Sequence, residues 1–171
     1  CRWNGRQLRL TLRQLAAQKY YTRARELKLA DSAAWRRLIH YDSFLGNVRS
    51  EARDKTPGEF FASPKGENDP EAELEATLLA LFTDTASPEP ARCRYPAREI
   101  FLVRELKIDV KELPVAACTK YLEWKRYISP ESASIVFASS YMGNAASMFG
   151  HTFLRIENKR NAPMLDSSFG F

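Results

Sequence analysis

Residues 134–156, SIVFASSYMGNAASMFGHTFLRI, carry the pattern that decides the fold class. The opening SIVFAS is short, apolar and rich in β-branched residues, which predicts a buried strand. HTFLRIE, residues 151–157, alternates in polarity and predicts a second strand with His151, Phe153 and Arg155 on one face. A third strand is predicted to begin within MLDSSFGF, at residues 164–171.

The sequence before this stretch has a helical period instead. Residues 6–30 predict a helix in which leucines at 8, 12 and 15 form one apolar stripe, which is expected to be buried against the body. The stripe shifts to Tyr20, Ala24 and Leu27, which indicates either a break near Gln18 or a stripe that turns around the helix there. A second helix is predicted to start at Asp31 or Ser32, both good N-caps, and to end near Gly46 and Asn47.

Three further helices are predicted along the chain. Asp69, Pro70 and Glu71 supply an N-cap, a first-turn proline and an acidic first turn, and leucines at 74, 78 and 81 form an inward stripe. YPAREIFLVREL and VAACTKYLEWKRYI, residues 95–106 and 115–128, predict the other two helices. The polar, turn-rich loop at 47–68 precedes them, and Phe60 and Phe61 are expected to fasten it to the body.

A helical front part followed by strands predicts an α+β fold. Two or three strands form a poor sheet alone, so we expect an incomplete sheet. The predicted organisation is a mainly helical region at 1–130 and the start of a β-containing, catalytic-type domain at 131–171. With 171 residues, 44% of them hydrophobic, the chain is of ordinary globular composition, and no apolar run approaches the about 18 residues of a membrane span.

Charge is distributed unevenly along the chain. Residues 1–55 hold 13 Lys and Arg against five Asp and Glu, although the whole chain has a net charge of only +5. Such a basic segment suits an anionic lipid surface or an acidic partner, and it is also what a solvated helix face looks like. No nucleic-acid motif accompanies it, so a nucleic-acid partner is not expected.

The three cysteines leave alternatives open. Cys93 and Cys118 are 25 positions apart, a spacing that suits a disulfide in an oxidising compartment and equally suits two buried free thiols. Cys1 is either the acylated first residue of a lipoprotein or a point of trimming. No CxxC or HxxxH pair is present, so neither a zinc site nor a cofactor is predicted.

His151 is the candidate catalytic residue. Small residues at 143–147 and Gly150 leave little side-chain bulk before it, which allows a ligand to approach closely. A histidine at the lip of a sheet with free space in front of it is placed to act as a general base. Asn144, Ser147, Gly150 and Phe153 are the expected walls and polar contacts of its site. His40, which follows Trp35 and Ile39 at helical spacing, is predicted to be structural.

Several blocks of the sequence resemble the bacterial family of Lnb N-terminal periplasmic domains. These blocks are LADSAAWRRLIHY (29–41), FFASPKGENDPEAELEATLLAL (60–81), CRYPAREIFL (93–102), CTKYLEW (118–124) and IVFASSYMGNAASMFGHTFLRI (135–156). The last block is the most specific, because Gly-His-Thr-Phe-Leu-Arg after a small-residue loop is rare by chance. The chain departs from the family where LDSSFGF, residues 165–171, lacks the usual tyrosine.

The resemblance implies a circularly permuted papain-like, or NlpC/P60-like, sheet. In such folds a histidine comes first, at the start of a strand, and the nucleophilic cysteine follows far downstream. His151 would then be the base, and its thiol would lie beyond Phe171 in the remaining part of the full-length chain. Cys93 and Cys118 match the paired cysteines of the family, which implies a disulfide and a location in the periplasm or attached to the membrane facing it.

Two functions are therefore predicted. One is a thiol hydrolase that cleaves an amide or ester bond, with a peptide or a peptidoglycan stem peptide as substrate. The other is a non-enzymatic envelope module that binds a partner through its basic amino-terminal helices. A downstream Asn-Cys pair in the full-length sequence would favour the hydrolase.

Overall fold

The computed structural model describes residues 5–41, 49–52, 59–128, 131–138, 151–157 and 167–170. At residues 5–11, 138, 151 and 167–170 the description covers the backbone and not the side chains. The chain divides into two compact units, Cys1–Cys118 and Thr119–Phe171. The first unit is helical and the second contains the strands, so the α+β class is confirmed. The predicted division of roles between 1–130 and 131–171 stays a prediction.

The first unit begins with a long helix, α1, which spans Gly5–Glu26. The helix runs through Gln18 without a break, so the predicted interruption is wrong. Ala17, Tyr20 and Ala24 form its buried face. The leucine stripe was also wrong: Leu12 and Leu15 are 57% and 62% exposed. Two apolar residues at helical spacing do not fix which face packs, because the neighbouring elements decide that.

A second, short helix, α2, spans Ala33–Leu38 and follows a 3₁₀ turn at Leu29–Asp31. Ser32 is its N-cap, as predicted, and its hydroxyl accepts a hydrogen bond from the Trp35 amide at 3.2 Å. Trp35 is fully buried, and its indole Nε1 donates to the Pro70 carbonyl at 3.0 Å. The helix ends earlier than predicted, because His40 takes a left-handed backbone with φ 57°. Gly46 and Asn47 lie outside the described residues.

The third helix, α3, spans Pro70–Thr83 and begins as the sequence predicts. The Asp69 carboxylate accepts hydrogen bonds from the Glu71 and Ala72 amides at 3.1 and 2.9 Å. The predicted inward leucines are all buried, with exposures of 0–1%. Helix α4 at Ala91–Arg94 and helix α5 at Pro96–Leu106 follow, and a 3₁₀ turn lies at Val110–Glu112. The helices of the first unit bury a common core, whose largest members are Trp35, Ile39, Leu74, Leu78, Leu81, Phe82 and Leu102.

The second unit contains helix α6 at Thr119–Ile128 and an antiparallel sheet in the order β1-β2-β3. The strands are β1 at Ser132–Ala138, β2 at His151–Glu157 and β3 at Ser167–Gly170. Strand β1 was predicted to be buried, but Ile135 and Phe137 are 76% and 64% exposed. Its apolar composition predicted the strand correctly and its burial wrongly, since burial needs a second layer on that face. No helix in the described part of the chain is long and apolar enough to span a membrane.

Candidate functional site around His151

His151 is the first residue of β2, and its Cα pairs with that of Ala138, the last residue of β1. The register then continues through Phe137 with Thr152 and Val136 with Phe153. His151 therefore lies at the end of the strand pair where the chain enters the 139–150 connection. This is the position that the sequence predicted for it.

Four residues are expected around the imidazole, and one of them, Phe153, lies in the described part of the chain. The predicted wall residues Asn144, Ser147 and Gly150 lie outside the described residues, as does the side chain of His151. Phe153 is described and is half-buried. The roles of all four neighbours and of His151 therefore stay predictions.

A polar cluster occupies the opposite end of the same strand pair. The Glu157 carboxylate accepts hydrogen bonds from the hydroxyls of Ser132 at 2.6 Å and Ser134 at 3.0 Å. Arg155 Nε lies 4.0 Å from Glu157 Oε1. Glu157 is six positions after His151, which corresponds to about 20 Å along a strand at about 3.3 Å per residue. Glu157 is thus too far away to orient the imidazole, and its role within the strand pair is structural.

Cys93 and Cys118 are joined in a disulfide with an S–S distance of 2.04 Å and a Cα–Cα distance of 4.9 Å. The pair that the family resemblance implied is therefore present. A sulfur held in a disulfide is neither a thiolate nor a metal ligand, so neither residue is available as a nucleophile in this state. Cys118 has a left-handed backbone with φ 47°, and Thr119 directly after it begins α6.

His40, the other histidine, makes a structural contact. Its ring lies edge-on to the Phe60 ring with centroids 5.0 Å apart, and Phe60 in turn packs edge-on against Phe61 at 4.9 Å. These contacts fasten the 59–63 segment to the first unit, as predicted for the two phenylalanines. His40 thus contributes to packing at a position remote in sequence from His151.

Among the residues that the structure describes, the most deeply buried charged pair lies in the first unit, and the sequence did not predict it. Glu73 and Arg98 are 0% and 4% exposed, and Arg98 Nη1 donates to Glu73 Oε1 at 2.6 Å. Burial raises the pKa of Glu73, which the amides of Ala62 and Ser63 and the Arg98 guanidinium oppose. The only sequence signal was the position of Glu73 beside the inward Leu74. Both charges are used in holding the structure together, so the pair is not a catalytic candidate.

Two families match separate parts of the chain. Residues 27–105 match a domain of unknown function, DUF7843, and residues 120–171 match the Lnb N-terminal periplasmic domain. No curated protein and no solved structure matches the chain.

The Lnb N-terminal periplasmic domain match falls within the second compact unit and includes α6 and all three described strands. His151 and the specific block at 135–156 therefore lie in the part of the chain that this family model matches. The resembling blocks at 29–41, 60–81 and 93–102 lie instead in the DUF7843 match, inside the first unit. The family description indicates a periplasmic domain, which is consistent with a disulfide in an oxidising compartment.

Across the described segments, no three His, Cys, Asp or Glu side chains come together as a metal site would require. A histidine has an ordinary pKa near neutrality, about 6.5, which suits it to take and return a proton at physiological pH.

Proposed function

We propose that this chain is part of a bacterial cell-envelope protein in which the Lnb N-terminal periplasmic domain supplies the general base of a thiol hydrolase. The substrate class is an amide or ester bond in a peptide-like molecule, such as a peptidoglycan stem peptide. The observation that carries the proposal is the position of His151 as the first residue of β2, at the end of the β1–β2 pair. The resemblance to permuted papain-like folds supports the same role.

In the proposed reaction the imidazole of His151 takes the proton of a cysteine thiol. The thiolate attacks the carbonyl carbon, a C–S bond forms, and backbone N–H groups stabilise the oxyanion. The imidazolium then returns the proton to the leaving amine or alcohol as its bond to the carbonyl carbon breaks. Water, deprotonated by His151, hydrolyses the thioester and regenerates the thiol.

The nucleophile in this proposal is neither Cys93 nor Cys118, because their sulfurs are bonded to each other. By the resemblance to permuted papain-like folds, the thiol of the proposed enzyme would lie downstream of the histidine in the sequence. The group that orients the imidazole must also be another residue than Glu157, which is about 20 Å away along β2.

The test is the hydrolysis of purified peptidoglycan stem peptides by the full-length protein. Hydrolysis is measured as the appearance of new amino termini. We expect His151→Ala to reduce the rate about 10³-fold or more while the free energy of unfolding changes by less than about 1 kcal/mol. His40→Ala is the matched control and should keep the activity. Unchanged hydrolysis by the His151→Ala protein would overturn the proposal, as would a rate insensitive to thiol alkylation.

A second candidate function is a non-enzymatic envelope module that binds a partner through α1. It is favoured by the exposure of Leu12 and Leu15, which flank Arg13 on the solvent side of a basic helix. Leucines more than half exposed beside a cation suit a contact with an acidic, partly apolar protein surface. In this case a Leu12→Glu, Leu15→Glu double variant should lose its partner in cross-linked cell envelopes, and His151→Ala should retain it. If the protein is a hydrolase, the opposite is expected of its activity: the double leucine variant should keep the activity and His151→Ala should lose it.

A further inference from the structure

A cavity of about 390 Å³ lies in the first unit, where the last turns of α1 meet the start of α3. Its inner lining is apolar, and Ala24, Leu29 and Leu74 there are each no more than 7% exposed. Charged side chains from α1, the 3₁₀ turn and α3 surround the opening. Most of the lining residues are polar or charged, so the cavity combines an apolar floor with a polar rim and suits a small ligand that has one apolar and one polar part.

The three acidic side chains of this cavity already have cationic partners. Glu26 pairs with Arg23 at 3.0 Å, and Asp31 pairs with Arg36 at 3.0 Å. Arg23 and Arg36 are not among the residues that line the cavity. The carboxylates of Glu26 and Asp31 are therefore neutralised by arginines that do not line the cavity.

The third acid, Glu71, is held within the cavity wall. The Tyr21 hydroxyl donates to Glu71 Oε1 at 3.0 Å, and Arg25 Nε lies 3.0 Å from the same oxygen. Burial and the hydrogen bond to Glu71 raise the pKa of Tyr21 to about 12, and the phenol is a donor at neutral pH. One carboxylate oxygen thus receives both contacts.

The cationic groups, by contrast, keep unused donors. Arg25 contacts Glu71 with Nε at 3.0 Å, and no hydrogen bond from its Nη1 or Nη2 to the described residues is present. Lys28, at a left-handed position directly after α1, has no ion pair within the described segments. A guanidinium whose outer edge is free can bind a carboxylate through two parallel hydrogen bonds. The unused hydrogen-bond donors at the opening therefore belong to the cations Arg25 and Lys28, while the floor of the cavity is apolar.

We propose that this cavity binds a monoanionic carboxylate attached to a compact aliphatic group, the chemistry of a peptide carboxy terminus that ends in an aliphatic residue. The carboxylate would contact Arg25 and Lys28, and the aliphatic group would lie on Ala24, Leu29 and Leu74. A phosphate is a poorer match, because it has no apolar part to occupy the floor. The site lies in the unit that does not contain His151, so it is independent of the proposed hydrolysis.

The test uses N-acetyl-leucine as the probe, with its carboxamide and inorganic phosphate as comparisons. Binding to the whole chain is followed by amide chemical shifts of residues 21–31 and 71–74. We expect saturable shifts with N-acetyl-leucine, at least tenfold weaker binding of the carboxamide, and no saturation by phosphate below the concentrations that saturate N-acetyl-leucine. Equal binding of the carboxamide, tighter binding of phosphate, or no shifts in these segments would each overturn the proposal.

Three variants assign the contacts. Arg25→Gln and Lys28→Gln should each weaken N-acetyl-leucine binding about tenfold, whereas Glu71→Gln should strengthen it by freeing Arg25 from a competing carboxylate. Lys107→Gln is the matched control, because Lys107 is also an exposed lysine in a left-handed position after a helix, outside the cavity. Wild-type affinity in both cation variants, with an unchanged circular dichroism spectrum, would also overturn the proposal.

Discussion

Arg98 and Glu73 form an ion pair that is almost completely removed from water, with 2.6 Å between Nη1 and Oε1. The Glu73 carboxylate also accepts hydrogen bonds from the Ala62 and Ser63 amides, both at 2.8 Å. Arg98 Nη2 donates to the Phe60 carbonyl at 2.8 Å, and its guanidinium lies 4.8 Å from the Phe60 ring centroid. The pair therefore binds the 60–63 segment to both α3 and α5.

Removal of one partner should strongly destabilise the first unit. Arg98→Met leaves the Glu73 carboxylate buried without its cation, which typically costs about 3–5 kcal/mol. Arg104→Met is a suitable control, since the Arg104 side chain is 69% exposed, pairs with the adjacent Glu105 and lies 6.0 Å from the Phe101 ring centroid. Its effect should be below about 0.5 kcal/mol. Urea unfolding measures both, and equal midpoints for the two variants would contradict a stabilising buried pair.

Gly66 should not tolerate a side chain. A Cβ at this position would overlap Glu73 Oε2 and lie 2.7 Å from Phe61 Cδ1. Neither neighbour moves freely, because Glu73 is held by four donors and Phe61 is buried. We expect Gly66→Ala to lower the free energy of unfolding by about 1–3 kcal/mol. A thermal midpoint equal to that of the wild type would show that this contact relaxes without cost.

Tyr41 should make the stability depend on alkaline pH. Its hydroxyl donates to the buried Gly66 carbonyl at 3.0 Å, and burial raises the pKa of Tyr41 to about 12. Because this lies above the unfolded value near 10, the stabilisation is complete below pH 10 and is lost as the pH rises towards 12. The loss is about 3 kcal/mol at most.

Unfolding free energies measured from pH 9 to pH 12 check this dependence. Tyr41→Phe should have a shallower decline over that range, whereas Tyr127→Phe, which alters a residue that is 69% exposed, should follow the wild type. Identical declines in all three proteins would assign the alkaline loss to other groups.

The disulfide should be present in the purified protein and should stabilise the first unit. Non-reducing mass spectrometry should find Cys93 and Cys118 linked and not alkylated. The double variant Cys93→Ser, Cys118→Ser should lose about 3 kcal/mol, as expected for a closed loop of this length. Two alkylated thiols at these positions would contradict the pairing.

Substitutions on the two sides of the helical unit should differ sharply in cost. Leu12→Ala and Leu15→Ala remove exposed side chains from α1, so each should change stability by less than about 0.5 kcal/mol. Leu78→Ala removes a fully buried side chain from α3 and should cost about 2–5 kcal/mol. A large loss at Leu12 or Leu15 would mean that α1 packs through its leucine stripe after all.

Much of the site's position could be read from the strand pattern. The alternation at 151–157 predicted both β2 and the place of His151 at its start, because strand side chains alternate locally. Its distance from Glu157 also follows from strand geometry. The surroundings of the imidazole could not be derived in the same way, since the 139–150 connection has no period that fixes its path.

The sequence by itself determined the features that depend on neighbouring residues: the Ser32 and Asp69 caps, the inward leucines of α3, and the change from helix to strand near residue 132. Only the tertiary structure decided which exposed-looking charges are buried and which apolar residues are not. Glu73 is buried because Arg98 arrives from α5, 25 residues away, whereas Leu12 remains in water because the described core covers α1 on the side of Ala17, Tyr20 and Ala24. Burial is a property of contacts between distant segments, and a local pattern shows only which residues would tolerate it.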